Sequence, residues 1–120
     1  MEYKDFLNQI IDGGIAGAKR DYKRPDQKLL LDGSIVGFEA CRDKNPIELA
    51  DLLETAQRKS HEAKLNQAED YWYHRGFVLE VEWVCNVVSA MQMNSGQPTI
   101  IPPTARGVMR AAEIVGVKEK

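Results

Sequence analysis

The spacing of apolar residues predicts four helices and one β-hairpin along the chain. The first helix covers residues 3–12, because apolar side chains recur there at helical intervals. These side chains are Phe6, Leu7, Ile10 and Ile11. Gly13 and Gly14 interrupt the pattern, so we expect a break there and one or two further helical turns before Pro25.

The strongest helix signal begins at Asn45. Asn45 can cap a helix, Pro46 suits the first helical position, and Glu48 stands three residues after the cap. An amphipathic helix is therefore predicted to about Asn66, with one apolar stripe facing the core. The stripe consists of Leu49, Leu52, Leu53, Ala56 and Ala63.

The segment 67–94 is apolar on nearly every side between Tyr71 and Met93. Such a pattern is typical of a helix that is buried all round. A chain of 120 residues can hardly surround such a helix, so we expect a second subunit to cover part of it. The valines of this segment leave a strand as the alternative, but its length and its lack of helix breakers favour a helix.

The best β signal is the stretch KLLLDGSIVGFEA. Asp32 and Gly33 can adopt the positive φ angles of a two-residue turn, and apolar runs flank them on both sides. We therefore predict a β-hairpin with strands at 28–31 and 34–40. Two isolated strands are marginal in water, so the hairpin must pack on helices or join a partner's sheet. The expected fold class is α+β, mostly helical, with this hairpin packed on long helices in an oligomer.

Composition indicates a single domain over residues 1–120. The net charge of −2 argues against a nucleic-acid polymer as partner, because phosphate backbones select for basic surfaces. Cys41 and Cys85 form no CxxC pair, and no apolar run reaches the ~18 residues of a membrane span. We expect a cytoplasmic protein with two buried thiols and no membrane contact.

No pattern of a catalytic or metal site stands out. His61 and His74 are the only histidines, and no HExxH, GxSxG or phosphate-loop motif occurs. Glu80 and Glu82 are two residues apart, so they point to different helix faces and suit a shared magnesium ion poorly. We therefore expect no metal, no cofactor and no catalysis, with a metal-dependent nucleotide pyrophosphatase as the least favoured alternative.

The stretch IPPTARGVMR begins the last predicted helix at Thr104 and places Arg106 in its first turn. A helix N-terminus already carries about half a positive charge, so a cation there costs roughly 0.3–1 kcal/mol. A bound phosphate reverses this effect, because the backbone N–H groups and the guanidinium both bind it. Arg106 is therefore a candidate phosphate ligand. A pairing with a carboxylate such as that of Glu113 is an equal alternative.

Four segments together resemble the first-described anti-Thoeris family of phage proteins, over about residues 11–117. They are GSIVGFEACR, NPIELADLLETA, VEWVCNVVSA and PPTARGVMRAAEIVGV. Members of that family are sponges: they sequester the cyclic ADP-ribose isomers that TIR-domain enzymes make in anti-phage defence, and they do not cut them. The resemblance implies a compact α+β subunit that dimerises through its long helices and can assemble further, up to a hexamer.

The resemblance also implies residues that bind the phosphates of the signal. Arg24 and Arg106 suit the pyrophosphate, and Thr104 stands beside Arg106 at the start of the last helix. Arg24 belongs to the run KRDYKR, which also reads as an ordinary solvated face. Arg58 suits a second site for cyclic oligonucleotides.

For the adenine the resemblance implies an aromatic residue and an asparagine. Phe77 and Asn86 suit these roles, with Tyr73 and Asn94 as alternatives. A helical aromatic cluster more often belongs to the core, and Asn86 could instead bond to a facing helix. We therefore predict non-catalytic sequestration of a small cyclic nucleotide by a homo-oligomer. The main alternative is a phage structural or assembly adaptor without a small ligand.

Overall fold

The structure is a computed structural model that describes residues 2–94, with side chains as far as Gln92. Four α-helices follow one another along this part of the chain. They are α1 (Tyr3–Asp21), α2 (Lys28–Cys41), α3 (Pro46–Leu65) and α4 (Tyr71–Asn94), with a short 3-10 turn at Pro25–Gln27 before α2. The last predicted helix lies outside the described residues.

The α+β prediction is wrong, because the described residues contain no strand and the predicted hairpin is helix α2. The buried residues of this segment recur at intervals of three and four, which is a helical period. They are Gly33, Ser34, Gly37, Phe38 and Cys41. The Asp32–Gly33 pair does not turn the chain. Its glycine instead lies against the backbone of another helix.

The backbones of α2 and α4 lie so close together that their contact positions have room only for glycine. A Cβ atom at Gly37 would lie 2.7 Å from the carbonyl oxygen of Phe77, and one at Gly33 would overlap the carbonyl oxygen of Tyr73. Gly76 on α4 is crowded in the same way by the carbonyl oxygen of Leu30. Because position 33 meets 73 and position 37 meets 77, the two helices run parallel with their backbones in contact.

Helix α3 packs on α4 in the antiparallel direction. The thiol of Cys85 donates a hydrogen bond to the carbonyl oxygen of Leu49 at 3.6 Å. The predicted cap is confirmed: the Asn45 side chain accepts from the Glu48 N–H at 2.8 Å, and the Asn45 N–H donates to the Glu48 carboxylate at 3.0 Å. Four members of the predicted stripe of α3 are buried, namely Leu49, Leu53, Ala56 and Ala63, and Leu52 is half-buried against the core.

Helix α4 is the central helix of the described chain, since α1, α2 and α3 all contact it. Its inward side chains are buried without any second subunit: Val78, Val81, Val84, Cys85 and Val88. The chain thus buries one face of α4 by itself, while Trp72 on the same helix is exposed. That a second subunit covers part of α4 stays a prediction.

Helix α1 continues through Gly13 and Gly14, where the sequence suggested a break. Polar contacts hold it to the connection between α2 and α3. Arg42 donates to Asp12 at 2.7 Å, and the Tyr3 hydroxyl donates to the carbonyl oxygen of Lys44 at 2.8 Å. These contacts fix α1 antiparallel to α2.

Two sequence expectations concern membrane contact and the thiols. Within residues 2–94, no helix combines the length and the apolar character needed to cross a bilayer. Cys41 and Cys85 are free and buried, as the sequence predicted.

Candidate functional site

A cavity of about 150 Å³ lies between α3 and α4, and we call it the α3–α4 cavity. It is lined by Leu52, Thr55, Ala56 and Lys59 of α3 and by Tyr73, His74 and Phe77 of α4. The lining thus combines an aromatic wall on α4 with a lysine on the facing helix.

The aromatic wall is positioned by the glycines of α2. Tyr73 and Phe77 are one helical turn apart, so their side chains lie on the same face of α4. Their backbone atoms are the ones that would meet a Cβ at Gly33 and Gly37. Since these glycines let α4 lie directly on α2, the α2–α4 contact determines where both rings stand.

The opposite side of the cavity is formed by part of the apolar stripe of α3, together with Lys59. Leu52, Ala56 and Lys59 recur at intervals of four and three residues, which places them on one helix face. Ala56 is buried, whereas Lys59 is exposed. A lysine in this position can lay its alkyl chain along the apolar wall and keep its ammonium group at the mouth of the cavity.

His74 adds an imidazole ring to the lining of the cavity. Its Nε2 lies 3.2 Å from Oδ2 of Asp70, one helical turn earlier. Because an ionised carboxylate only accepts hydrogen bonds, Nε2 carries the proton in this contact. Nδ1 of the neutral ring then accepts a hydrogen bond, and both nitrogens donate when the ring is protonated.

The charge of the α3–α4 cavity favours anions. None of its described lining residues is acidic, while Lys59 carries a fixed positive charge. Asp70, which hydrogen-bonds to His74, does not itself line the cavity. An aromatic wall beside a cation can bind a flat ring and an anionic group of the same molecule. The lining holds no serine or cysteine nucleophile.

The described residues do not form a metal-binding group. Within residues 2–94, no three side chains of histidine, cysteine, aspartate or glutamate lie together so that they could hold a metal ion.

Two of the predicted site residues, Tyr73 and Phe77, are brought together in this cavity. The other described candidates lie elsewhere. Arg24 is exposed at the 3-10 turn and pairs with Asp26 at 3.2 Å. Arg58 is exposed on α3, next to Lys59 but outside the lining, and Asn86 is half-buried on α4, also outside it.

Three predicted residues cannot be placed. Arg106 and Thr104 lie outside the described residues, and Asn94 ends α4 with a side chain that is not described. Their predicted roles as ligands of phosphate and adenine stay predictions.

The sequence reasoning missed Lys59 and Thr55, and it noted His74 only as a neighbour of the aromatic cluster. A signal for Lys59 was present, because this lysine falls on the apolar stripe between Ala56 and Ala63.

Comparison with protein-family models, with curated proteins and with solved structures found no match for this chain.

Proposed function

We propose that this chain binds a small cyclic nucleotide and sequesters it without cutting it, with cyclic ADP-ribose isomers as the first candidates. One observation carries this proposal: the α3–α4 cavity places Tyr73 and Phe77 opposite Lys59. A nucleotide needs a flat apolar surface for its base and a cation for its phosphates, and this cavity supplies both.

The size of the cavity limits which part of the ligand enters it. Its volume of about 150 Å³ is smaller than the ~300–1,000 Å³ of pockets that enclose a whole drug-sized ligand. One base therefore fits between the two helices, and the sugars and phosphates remain outside. Lys59 lines the cavity and is exposed, so we infer that its ammonium group binds a phosphate there.

The support comes from the cavity and not from the resemblance. The anti-Thoeris resemblance implies an α+β subunit, whereas the described residues are all-helical. The resemblance suggests only which ligand to test first, namely the cyclic ADP-ribose isomers. Arg106 and Arg24 stay the candidates for binding the pyrophosphate, Arg24 from outside the cavity.

The first experiment measures binding by isothermal titration calorimetry with cyclic ADP-ribose isomers, a cyclic dinucleotide and AMP. Lys59→Gln should weaken binding of the phosphate-bearing ligand by about tenfold, the effect of losing ~1.4 kcal/mol. Lys64→Gln is the matched control, because Lys64 is an exposed lysine on the same helix that does not line the cavity. Equal losses in both variants would count against a specific role for Lys59.

The second experiment separates a nucleotide binder from its rivals. The complex is denatured after incubation with magnesium, and the ligand is identified by mass spectrometry. Intact ligand supports sequestration, and cleaved ligand would make the protein a hydrolase. If none of the nucleotides binds, the proposal fails, and a helical adaptor without a small ligand becomes the better description.

A further inference from the structure

The polar side chains that line the α3–α4 cavity differ in the hydrogen bonds that they can form with a base. They are Thr55, Lys59, Tyr73 and His74. The hydroxyl groups of Thr55 and Tyr73 can both donate and accept, and the ammonium group of Lys59 only donates. None of these three side chains therefore favours a base that donates. His74 is the remaining polar side chain of the lining, so its ring decides which base edge the cavity accepts.

The His74 ring is held in one orientation by two contacts. Its Nε2 lies 3.2 Å from Oδ2 of Asp70. The ring also stands edge-to-face against Tyr73, with centroids 5.6 Å apart and an interplanar angle of 86°. The His74 side chain is only 27% exposed, so most of it is enclosed by the protein. A ring fixed in this way presents the same atoms to every ligand that enters the cavity.

Asp70 also determines which nitrogen of the ring is left for a ligand. An ionised carboxylate only accepts hydrogen bonds, so Nε2 of the neutral ring carries the proton and Nδ1 keeps its lone pair. The two nitrogens of an imidazole ring point away from each other, and Nδ1 is therefore directed away from Asp70. Among the described residues, Nδ1 of His74 has no hydrogen-bond partner. His74 thus provides an acceptor that cannot act as a donor.

Purine bases differ at the position that such an acceptor detects. Adenine carries an amino group at C6, which donates, whereas guanine and hypoxanthine carry a carbonyl oxygen there, which accepts. Nδ1 forms a hydrogen bond with the amino group. Against a carbonyl oxygen both acceptors stay unpaired, which costs binding free energy. One acceptor with a fixed proton on its other nitrogen can therefore separate these bases.

We propose that His74, kept in its Nε2–H tautomer by Asp70, selects adenine over hypoxanthine and guanine in the α3–α4 cavity. This selection presupposes the nucleotide binding proposed above and adds the class of base. The base lies against Tyr73 and Phe77, and its amino group donates to Nδ1 of His74. Asp70 acts through His74 and is a positioning residue. Asn86, to which the resemblance assigns the adenine, lies outside the cavity.

The test compares AMP with IMP, and cyclic ADP-ribose with cyclic IDP-ribose, by isothermal titration calorimetry on the full chain. In each pair a carbonyl oxygen replaces the amino group of adenine. Affinities are measured at about pH 8, above the range in which histidine side chains ordinarily take up a proton. The adenine form should bind about tenfold more tightly. Equal binding of both forms overturns the selection by His74 and leaves nucleotide binding intact, whereas no binding of either pair overturns both proposals.

Asp70→Asn tests whether the carboxylate fixes the tautomer. Asparagine can donate as well as accept, so Nε2 no longer has to carry the proton. The ratio of the dissociation constants of IMP and AMP should fall from about ten to about one. Glu69→Gln is the matched control, because Glu69 is the adjacent exposed acid and has no described bond to His74, so its ratio should stay at about ten. A general weakening lowers both affinities alike, so an unchanged ratio in Asp70→Asn overturns the proposal.

The His74 tautomer can also be measured without a ligand. The ¹⁵N NMR shifts of the two ring nitrogens distinguish the tautomers, and His61→Gln assigns the signals because His61 is the only other histidine. His74 should be in the Nε2–H form in the unmodified chain and in a mixture of forms in Asp70→Asn. A ring protonated at Nδ1 in the unmodified chain would overturn the proposal. So would His74→Phe, which keeps a flat ring without nitrogen, if it retained the preference for adenine.

Discussion

Single residues in the core bind their protons more tightly than they would in water. Burial raises the pKa of the Tyr3 hydroxyl from 10.0 to about 12 and the pKa of the Cys85 thiol from 9.0 to about 12. Burial also raises the pKa of the Cys41 thiol. In each case the folded chain prefers the neutral form, because the charged form would lose its hydration.

These raised pKa values predict a loss of stability in alkali. In the unfolded chain the thiols ionise near 9 and the tyrosine near 10, while the folded chain still holds their protons. The stabilisation is therefore complete below about pH 9 and is lost as the pH rises from there through about 12. The free energy of unfolding, measured by urea titration between about pH 7 and 11, should be flat at first and then fall.

Tyr3→Phe provides the control for this pH dependence. It removes the ionisable hydroxyl and keeps the ring, so the decline above about pH 10 should become shallower. It also removes the hydrogen bond to the carbonyl oxygen of Lys44, which should cost about 1 kcal/mol at neutral pH. An identical decline in both proteins would show that Tyr3 does not contribute to it.

Glycine residues on different helices should respond in opposite ways to the same substitution. Gly33→Ala should destabilise the fold by about 2 kcal/mol, because the new Cβ would overlap the backbone of Tyr73. Gly13→Ala should stabilise it by about 1 kcal/mol, since Gly13 is exposed and alanine is the better helix former. Denaturant titrations of both variants check this. A stabilised Gly33→Ala protein would disprove the close α2–α4 contact.

At the scale of elements, the sequence predicted helices where the local signals agreed. Helix α3 had a cap, a proline at its first position and an apolar stripe, and all three are found in the structure. Helix α2 was missed because Asp32–Gly33 also signals a turn, and nothing local tells a turn glycine from one that touches another helix. That distinction depends on Tyr73 and Phe77, which lie far away in the sequence.

The candidate site, like the helices, was predictable only where the signal was local in the sequence. Tyr73 and Phe77 belong to an aromatic cluster that the sequence shows directly. Lys59 was missed because its role depends on which helix faces α3, and a single helix does not specify its neighbour. Asn86, predicted to bind the adenine with Phe77, and Arg24, predicted to bind the pyrophosphate, lie outside the cavity. Side chains far apart in sequence could not be assigned to one site without knowledge of the packing.

The cap of α3 allows a prediction at the level of one helix. Asn45→Ala should destabilise the protein by about 1 kcal/mol, because the N–H of Glu48 loses its acceptor. Asn45→Asp is the control: it keeps an acceptor and places a negative charge at the helix N-terminus, so stability should be retained. Thermal unfolding followed by circular dichroism measures both. If the two variants lose the same stability, the side-chain cap is not what stabilises this end.

At the scale of the molecule, described residues of all four helices share one hydrophobic core. It includes Leu7, Phe38, Leu49 and Val81 from the four helices in turn. An interface formed by the described residues uses outward side chains, among which Leu29, Val36 and Trp72 are large, apolar and exposed. Light scattering coupled to size-exclusion chromatography tests the predicted homo-oligomer.

A chain that ends at Asn94 should fold by itself, because it keeps every helix of this core. We expect a helical circular dichroism spectrum and one cooperative unfolding transition. The same fragment tests the predicted role of Arg106. A loss of nucleotide affinity beyond tenfold in the folded fragment supports phosphate binding by that part of the chain, whereas unchanged affinity rules it out.

The parallel pairing of α2 with α4 also has a consequence for folding kinetics. Helices α3 and α4 are joined by a short connection, so they can associate early and at little entropic cost. Helix α2 must dock across the whole of α3, which is a non-local step and therefore a slower one. Since that docking fixes Tyr73 and Phe77, we expect the α3–α4 cavity to form only after α2 has docked.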